Sequence, residues 1–302
     1  MNLPDSLKRN RANRGFTDYD ESIDYSKYIK YLYKLEVEVF SYCNRKCWFC
    51  PNSFVDRMST NNYMPERTYL DLLEELRDHS FRGIMSYSRY NEPFADDIIF
   101  TRMEQAKKII PKVHLHANTN GDYLNKDKLL LAEKSGLKSL KIMLYGTSDD
   151  PSKQYTREEV LKVLEKTNRR CELKLKTVED KTHKMTWVSQ VGKMEVNVVA
   201  IDFKISGTDR GGTLDSLKRE VRTRPCGMPM VDTFIDWNGN VMPCCNVRSD
   251  IKEHEWYIQG NINERSLVDC LFNKQACDFR QEMLTYAPKK GACSTCKTGR
   301  LN

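Results

Sequence analysis

The chain has 302 residues, of which 39% are hydrophobic and 30% charged, and its formal net charge is +7 at pH 7. This composition is typical of a globular protein and excludes an intrinsically disordered one. No apolar stretch approaches the roughly 18 residues of a membrane-spanning helix, and the N-terminus lacks the apolar centre of a secretory signal. We therefore expect a cytoplasmic protein without a membrane partner. Its eleven cysteines are then not a disulfide framework, and the clustered ones are expected to serve as metal ligands.

Residues 1–33 are polar and rich in tyrosine, without a periodic apolar face. We interpret this segment as an N-terminal arm or cap. It contains a basic run, KRNRANR, from Lys8 to Arg14. Such a run could contact nucleic acid, but a solvated arm is the simpler interpretation and argues against a nucleic-acid partner.

Predicted strands and helices alternate from Lys34 onwards. In KLEVEVF, Lys34 to Phe40, apolar side chains alternate with charged ones, which is the period of a strand. Further strands are predicted around residues 83–88, 113–118, 139–144, 173–178 and 196–205, and helices around residues 66–77, 97–108, 126–134 and 156–168. This alternation predicts an α/β fold with a parallel sheet, a partial (β/α)6 barrel over residues 34–222. In such barrels the active site lies at the carboxyl ends of the strands.

Three cysteines follow the first predicted strand in the stretch SYCNRKCWFCPNS. Cys43, Cys47 and Cys50 have the spacing C-x3-C-x2-C. Three thiolates can hold three corners of a cubane iron–sulfur cluster and leave the fourth iron free to bind a small molecule, whereas a fourth thiolate would close the site. A zinc site is the alternative, but it would need a fourth ligand, and the nearest histidine along the chain is as far away as His79.

This motif, with the aromatic Phe49 before its last cysteine, resembles that of the radical S-adenosylmethionine (SAM) superfamily. The resemblance implies a 4Fe–4S cluster bound by Cys43, Cys47 and Cys50, with S-adenosyl-L-methionine on the open iron. It also implies that the reduced cluster cleaves SAM to methionine and a 5′-deoxyadenosyl radical, which abstracts hydrogen from a substrate. An electron donor such as flavodoxin or ferredoxin is then needed.

Two later loops resemble SAM-binding elements of the same superfamily. Tyr90 to Pro93 reads YNEP and resembles the GGEP-type element, although its first glycines are missing and the match rests on Glu92 and Pro93. Thr119 to Gly121 resembles the TNG turn beside the cofactor. The resemblance implies a cofactor pocket formed by Phe49, Asn91, Glu92, Pro93, Thr119 and Asn120.

A second set of cysteines lies beyond residue 222, where the sequence pattern changes. Cys226 and Cys244 flank a predicted hairpin with Asn238–Gly239 at its turn, and Cys293 and Cys296 form a CxxC pair after two short helices. Four thiolates suit zinc and a 4Fe–4S cluster equally well. The order of these elements resembles the SPASM/twitch domain of radical SAM enzymes, which implies an auxiliary 4Fe–4S cluster bound by all four cysteines within residues 223–302.

The remaining cysteines have no such spacing. Cys171, Cys270 and Cys277 lie at apolar positions and are interpreted as core residues. Cys245 is adjacent to Cys244, so its thiol is a candidate hydrogen donor to a substrate radical. The alternative is a small side chain that packs beside the cluster.

Arg210, in the stretch RGGTL, resembles a substrate-binding arginine in a cyclitol-oxidising branch of the superfamily. This makes Arg210 a candidate to hold a substrate hydroxyl or to take its proton. That branch has phenylalanine and glutamate after the PC of the hairpin, where this chain has Cys245 and Asn246. A lost carboxylate removes a base and a partner for an amino group, so the identity of the substrate stays open.

The resulting hypothesis is a radical SAM dehydrogenase that oxidises an alcohol of a small carbohydrate- or cyclitol-like molecule, with the auxiliary cluster as electron acceptor. One alternative is redox-neutral epimerisation with Cys245 as hydrogen donor. Another is modification of a peptide, for which residues 1–33 are a short substitute for a peptide-binding domain. A third, from another class, is a zinc–cysteine protein that binds nucleic acid through its basic arm.

Overall fold

The computed structural model describes residue 17 and residues 19–145 and 156–298. The basic run from Lys8 to Arg14 lies outside the described residues. Within these ranges, none of the helices combines the length and the apolar character needed to cross a membrane.

Ten strands of the described residues form one sheet. They are β1 (Lys34–Val37), β2 (Ile84–Ser86), β3 (His114–Thr119), β4 (Ser139–Met143), β5 (Lys176–Lys181), β6 (Lys184–Val191), β7 (Met194–Ile201), β8 (Asp232–Ile235), β9 (Asn240–Met242) and β10 (Gly260–Asn261). Their order across the sheet is β10-β9-β8-β1-β2-β3-β4-β7-β6-β5. The six strands from β8 to β7 in this order are mutually parallel, which confirms the predicted α/β class.

The helices mostly follow the strands along the chain. They are α1 (Glu66–Asp78), α2 (Ile98–Ile109), α3 (Lys126–Lys134), α4 (Arg157–Cys171), α5 (Phe203–Ser206), α6 (Met228–Val231), α7 (Leu267–Leu271) and α8 (Lys274–Met283). Short 3-10 helices cover Tyr25–Tyr31, Pro51–Ser53, Pro93–Ala95, Asp215–Leu217, Lys252–Tyr257 and Gly291–Cys293. Thr156 and Glu159 form a capping box at the start of α4, which satisfies backbone N–H groups of its first turn.

The main core lies between the sheet and helices α1–α4, because each strand directs alternate side chains to each face. On β1, Leu35 and Val37 belong to this core, whereas Lys34 and Glu36 lie on the opposite face. Polar side chains continue along that face on β2 and β3. One of them is Ser86 of β2, which is fully buried. The sheet therefore has an apolar face toward the helices and a polar face toward the functional site.

The strands after β4 differ from the predicted βα units. The strand predicted near residues 173–178 exists as β5, but β5, β6 and β7 are joined as antiparallel neighbours. Only two residues separate consecutive strands here, and so short a connection can only reverse the chain. The first turn, Thr182–His183, lacks the usual glycine or asparagine, which explains why the sequence pattern did not reveal β6.

The segment beyond residue 222 continues the same sheet, since β8 pairs in parallel with β1. The hairpin between β8 and β9 turns at Gly239, with a φ of 85°, as predicted.

Of the predicted arm, the described part includes Tyr25, whose ring stacks on Phe272 at a centroid distance of 5.0 Å. The N-terminal segment thus packs against the C-terminal one, and the predicted division at residue 222 stays a prediction.

A chain that ends at residue 222 is expected to aggregate, because it would expose the hydrogen-bonding edge of β1 that β8 covers. It would also expose Tyr25. Size-exclusion chromatography and circular dichroism of the shortened and full chains would test this. A monomeric fragment with a cooperative thermal transition would contradict the expectation.

Candidate active site

A cavity of about 280 Å³ opens at the carboxyl ends of the parallel strands. The segments that line it follow β1, β2, β3, β4 and β7, together with the loop that carries Arg210. Cys43, Cys47 and Cys50 all line this one cavity. The structure therefore places the predicted three-cysteine loop and the predicted substrate arginine at a common space.

The three-cysteine loop is held by its own backbone and by aromatic packing. The N–H of Cys50 donates to the carbonyl of Cys47 at 2.9 Å, and the N–H of Cys43 donates to the carbonyl of Arg57 at 3.0 Å. Phe49 stacks on Phe203 with ring centroids 3.6 Å apart. This packing forms an apolar wall of the cavity beside the last cysteine of the motif.

Burial raises the pKa of the Cys43 thiol to about 12, so a metal-free thiolate would be unfavourable here. Binding of a cationic cluster would release this proton. An all-sulfur donor set that opens onto one cavity fits an iron–sulfur cluster with a free coordination position. In the described ranges, no group of three or more His, Cys, Asp or Glu side chains is placed to hold a single metal ion.

The two loops predicted to bind SAM meet at the carboxylate of Glu92. Thr119 donates its hydroxyl to Glu92 Oε1 at 2.5 Å, and the N–H of Asn120 donates to Oε2 at 2.7 Å. Glu92 also caps the 3-10 helix that begins at Pro93 by accepting from the N–H of Phe94 at 3.2 Å. Its carboxylate is thus occupied by donors of the protein, and it organises the pocket rather than projecting freely into it.

Asp122 joins the TNG turn to the three-cysteine loop. Its carboxylate accepts from Asn44 at 2.8 Å and forms a two-pronged ion pair with Arg45, both contacts at 2.7 Å. The side chain of Asn120 donates to Asn44 Oδ1 at 2.8 Å. Asp122 was not predicted from the sequence, although the acidic residue directly after TNG was a visible signal.

Glu38, at the carboxyl end of β1, fixes the loop that carries Asn91. Its fully buried carboxylate accepts from the backbone N–H groups of Tyr90 and Asn91, at 2.6 and 3.1 Å. Arg57, which follows the three-cysteine loop, donates to the same carboxylate at 3.2 Å. One buried charge therefore sets the relative positions of two predicted cofactor-binding loops.

Arg248 extends this network to the C-terminal segment. It donates to Asn52 at 2.7 Å and to Asp250 at 2.7 and 2.6 Å, and its guanidinium lies over the Tyr90 ring at 4.2 Å. The Tyr90 hydroxyl donates to the carbonyl of Cys245 at 3.0 Å. The three-cysteine loop and the hairpin with the second cysteine set are thus held as one unit.

The second cysteine set is gathered in the C-terminal segment. Burial raises the pKa of all four thiols, and repulsion between neighbouring thiolates raises it further for Cys226, Cys244, Cys293 and Cys296. Cys226, Cys244 and Cys293 pack on the same small apolar cluster as Cys50 of the first set, a cluster that includes Tyr90. Four buried thiols that repel one another when ionised fit a site that becomes stable when a metal cluster replaces their protons.

Arg210 and Cys245 lie in different positions relative to the cavity. Arg210 lines the cavity. The backbone of Arg210 is left-handed, and so is the backbone of the next two residues, Gly211 and Gly212. A side chain at Gly211 would lie 2.7 Å from His254 Nε2, so glycine is required there. Cys245 is half-buried and is not among the described residues that line the cavity. The roles of Arg210 and Cys245 stay predictions.

The three remaining cysteines are buried, as expected of core residues. Their exposed fractions are 2% for Cys171 and 0% for Cys270 and Cys277. Two cations that line the cavity, Arg89 and Lys141, were not predicted from the sequence. Lys141 interrupts the apolar strand SLKIM at an inward position, and this was the signal that could have revealed it.

The sequence matches two protein families. Residues 37–184 match the Radical SAM superfamily, and residues 226–297 match SPASM, an iron–sulfur cluster-binding domain. The three-cysteine loop lies within the first match, and the four C-terminal cysteines lie within the second. The two matches confirm the predicted cofactors, SAM and 4Fe–4S clusters, over the zinc alternative.

One curated relative is the S-adenosyl-L-methionine-dependent 2-deoxy-scyllo-inosamine dehydrogenase of Niallia circulans. It is 26% identical over 265 residues, which cover 87% of this chain and 91% of the relative. The crystal structure of BtrN in complex with AdoMet and 2-DOIA has a TM-score of 0.66 at 22% identity, with 89% of this chain and 95% of that chain covered. An open conformation of BtrN has a TM-score of 0.58 at 22% identity, covering 88% and 92%. The two structures show that the fold is shared.

Glu92 is expected to make stability depend on pH. Burial raises its pKa from 4.5 to about 7, although hydrogen bonds from Thr119 and Asn120 lower it. A carboxyl with a raised pKa in the folded state stabilises the fold below pH 4.5 and loses that contribution as pH rises to about 7. The free energy of unfolding of the natural protein, relative to Glu92→Gln, should therefore fall by up to about 3 kcal/mol between pH 5 and pH 8.

Denaturant unfolding at several pH values would measure this difference, with both proteins in the same state of cluster loading. Glu165→Gln is a matched control, because the Glu165 side chain is 73% exposed and its removal should leave the pH dependence unchanged. Parallel curves for the natural protein and Glu92→Gln would contradict the prediction.

Proposed function

We propose that this protein is a radical SAM dehydrogenase that oxidises an alcohol of a small, polyhydroxylated, cyclitol- or carbohydrate-like substrate. The observation that carries the proposal is the cavity shared by the three-cysteine loop and Arg210, whose far side is the polar face of the sheet. The Niallia circulans relative supports it, since that enzyme is described as a dehydrogenase of 2-deoxy-scyllo-inosamine.

Cys43, Cys47 and Cys50 would hold the first cluster, with SAM at its open iron. When bound and reduced, this cofactor pair supplies the 5′-deoxyadenosyl radical that abstracts a substrate hydrogen. The protein shapes the pocket around it: Glu38 orients the backbone of Asn91, and Glu92 fixes Thr119 and Asn120. Phe49 and Pro93 complete the set of proposed cofactor-binding residues.

Arg210 would position the substrate. A guanidinium has five N–H donors, so Arg210 can hold a substrate hydroxyl and stabilise the negative charge that develops on that oxygen as its proton leaves. The carbonyl of Arg210 accepts from the Thr213 hydroxyl at 2.9 Å, a contact that helps to keep the left-handed turn in place.

Cys226, Cys244, Cys293 and Cys296 would hold an auxiliary 4Fe–4S cluster, which supplies an electron acceptor for a two-electron oxidation. The proposal divides the chain into an arm (1–33), a radical SAM core (34–222) and an auxiliary domain (223–302). A flavodoxin or ferredoxin would supply the reducing electron. Eleven cysteines, of which at least seven serve as ligands in this proposal, suit a reducing compartment such as the cytoplasm.

Redox-neutral epimerisation is the second candidate, and the position of Cys245 favours it. The carbonyl of Cys245 accepts from the hydroxyl of Tyr90 at 3.0 Å, and Tyr90 lines the cavity. An epimer has the mass of the substrate, whereas the product of the proposed dehydrogenase is lighter by two hydrogens. We expect Cys245→Ala still to form the product that is lighter than the substrate by two hydrogens, as measured by mass spectrometry. If the natural protein instead forms an isomer of the substrate and Cys245→Ala forms no product, the epimerase is favoured.

The cluster assignment predicts iron content. After anaerobic reconstitution, the natural protein should contain about eight irons per chain, and the variant with Cys43, Cys47 and Cys50 all changed to alanine about four. The variant with alanine at the four C-terminal cysteines should also contain about four irons. The natural protein and this second variant should form 5′-deoxyadenosine from SAM and a reductant, whereas the variant without Cys43, Cys47 and Cys50 should form none.

Cys277→Ala is the matched control, because Cys277 is a fully buried cysteine outside both sets and its variant should retain about eight irons. Iron and sulfide assays, with chromatography of 5′-deoxyadenosine, would provide the measurements. Absence of 5′-deoxyadenosine from the iron-loaded natural protein would contradict the proposed function.

A further inference from the structure

The cavity has an excess of basic side chains. Arg45, Arg89, Lys141 and Arg210 line it, whereas Glu92 is the one carboxylate among its described lining residues. A cation beside a partly dehydrated cavity needs a counter-charge, since a buried unpaired charge is unfavourable by several kcal/mol. The partners of each charged group therefore indicate which charge a ligand must have.

Two of these groups are neutralised or occupied by the protein itself. Arg45 forms its two-pronged ion pair with Asp122 at 2.7 Å. Glu92 accepts hydrogen bonds from Thr119 and Asn120. These groups stabilise the cofactor loops, and neither supplies an open charge for the substrate.

Arg89 is only partly neutralised. Its Nη1 lies 3.6 Å from Glu36 Oε2, and its buried Nε has no hydrogen-bond partner within the described part of the chain. Glu36 also pairs with Lys34 at 2.8 Å, and Lys34 lies 3.6 Å from Asp232. The carboxylates of Glu36 and Asp232 therefore match Lys34 and Arg89 in number and leave no carboxylate for another cation.

Lys141 and Arg210 are the cations that exceed the nearby carboxylates in number. Arg210 acts on Glu36 from a distance, but Glu36 already forms ion pairs with Lys34 and Arg89. Across residues 19–145 and 156–298, Lys141 forms no hydrogen bond or ion pair, and the Arg210 side chain likewise forms none. Burial lowers the pKa of Lys141, and Lys34 and Lys184 lower it further. Both side chains line the cavity, so an anion bound there would restore their charge balance.

The charges of SAM do not remove this imbalance. SAM has one carboxylate, which can engage one cation, but it also has an ammonium and a sulfonium group. At least one of Lys141 and Arg210, together with Arg89, is left for the substrate. Ser88 and Asn118 also line the cavity and can contact hydroxyl groups.

The amine of the relative's substrate is the opposite case, because an ammonium group needs a carboxylate or another acceptor. Asn246, in the hairpin segment of the second cysteine set, is neutral and does not line the described cavity. Its side chain is engaged by the Thr208 hydroxyl at 3.2 Å and by Cys296 Sγ at 3.7 Å. The described cavity therefore provides no uncommitted carboxylate for an amine.

We propose that the substrate of the dehydrogenase proposed above carries an anionic group, a carboxylate or a phosphate, which Lys141 and Arg210 bind together with Arg89. The substrate class is then a sugar acid or a phosphorylated sugar or cyclitol rather than an aminocyclitol. The inference rests on the proposed function for the reaction, whereas the charge preference of the cavity can be measured by binding alone.

Calorimetric titration of the anaerobically reconstituted protein, saturated with SAM, would test the charge preference. The probes are glucuronate for a carboxylate, myo-inositol 1-phosphate for a phosphate, myo-inositol for a neutral polyol and glucosamine for an amine. At least one anionic probe should bind about tenfold or more tightly than the neutral and amine probes. The better of the two anionic probes identifies the source of the negative charge.

Variants assign the preference to the named residues. Lys141→Gln and Arg210→Gln should each reduce the affinity for the preferred anion about tenfold. Lys141→Gln should leave the weak binding of myo-inositol unchanged, whereas Arg210→Gln should weaken it less than it weakens anion binding, because Arg210 also holds a substrate hydroxyl in the proposed function. Lys138→Gln is the matched control, because Lys138 is an exposed lysine just before the same strand and its removal should have no effect. Iron content and circular dichroism would establish that each variant is folded and loaded.

The proposal would be overturned by tighter binding of glucosamine, by equal binding of all four probes, or by failure of both anions to bind at millimolar concentration. Unchanged anion affinity in both variants would also overturn it. Formation of 5′-deoxyadenosine in the same samples reports separately on the proposed function. Its absence together with a clear anion preference would contradict the reaction class but not the charge of the ligand.

Discussion

The buried carboxylate of Glu38 is the interaction on which the rest of the site depends. It lies at the end of β1 and binds two backbone N–H groups of the following βα loop and the guanidinium of Arg57. Burial raises the pKa of Glu38, and Arg57 opposes this effect. Because an unpaired charge at a fully buried position would be strongly destabilising, these donors have little freedom to move. The three-cysteine loop and the loop of Asn91 are consequently held in one relative position.

The C-terminal segment contributes to this construction. β8 extends the sheet beside β1, and Arg248 contacts the three-cysteine loop through Asn52. The loop of Arg210 is also held by this segment, since the Thr295 hydroxyl donates to Asp209 and His254 contacts the carbonyl of Gly211 at 2.9 Å. Packing around the second cysteine set therefore determines where the candidate substrate arginine lies in the cavity.

The backbone resembles that of BtrN over 89% of the chain. In the function proposed above, specificity resides in a few side chains on the polar face of the sheet, and Lys141 is one of them. A cation there is tolerated because the cavity admits a ligand or solvent beside it. In this proposal the three-cysteine loop supports the radical chemistry, and the charge pattern of the cavity selects the molecule that is oxidised.

Local patterns were enough to predict the first four strands and the α/β class and to single out the three-cysteine loop, because strand alternation, turn chemistry and cysteine spacing are properties of neighbouring residues. The roles of the EP and TNG loops and of the four C-terminal cysteines were expected from the family resemblance. The tertiary structure decided what depends on distant contacts. These features include the β1–β8 pairing, the antiparallel strands β5–β7, the Glu38 and Arg248 network, and the meeting of Arg89, Lys141 and Arg210 at one cavity. No local pattern encodes them, since each depends on which strands become neighbours and which face of a strand lies toward the cavity.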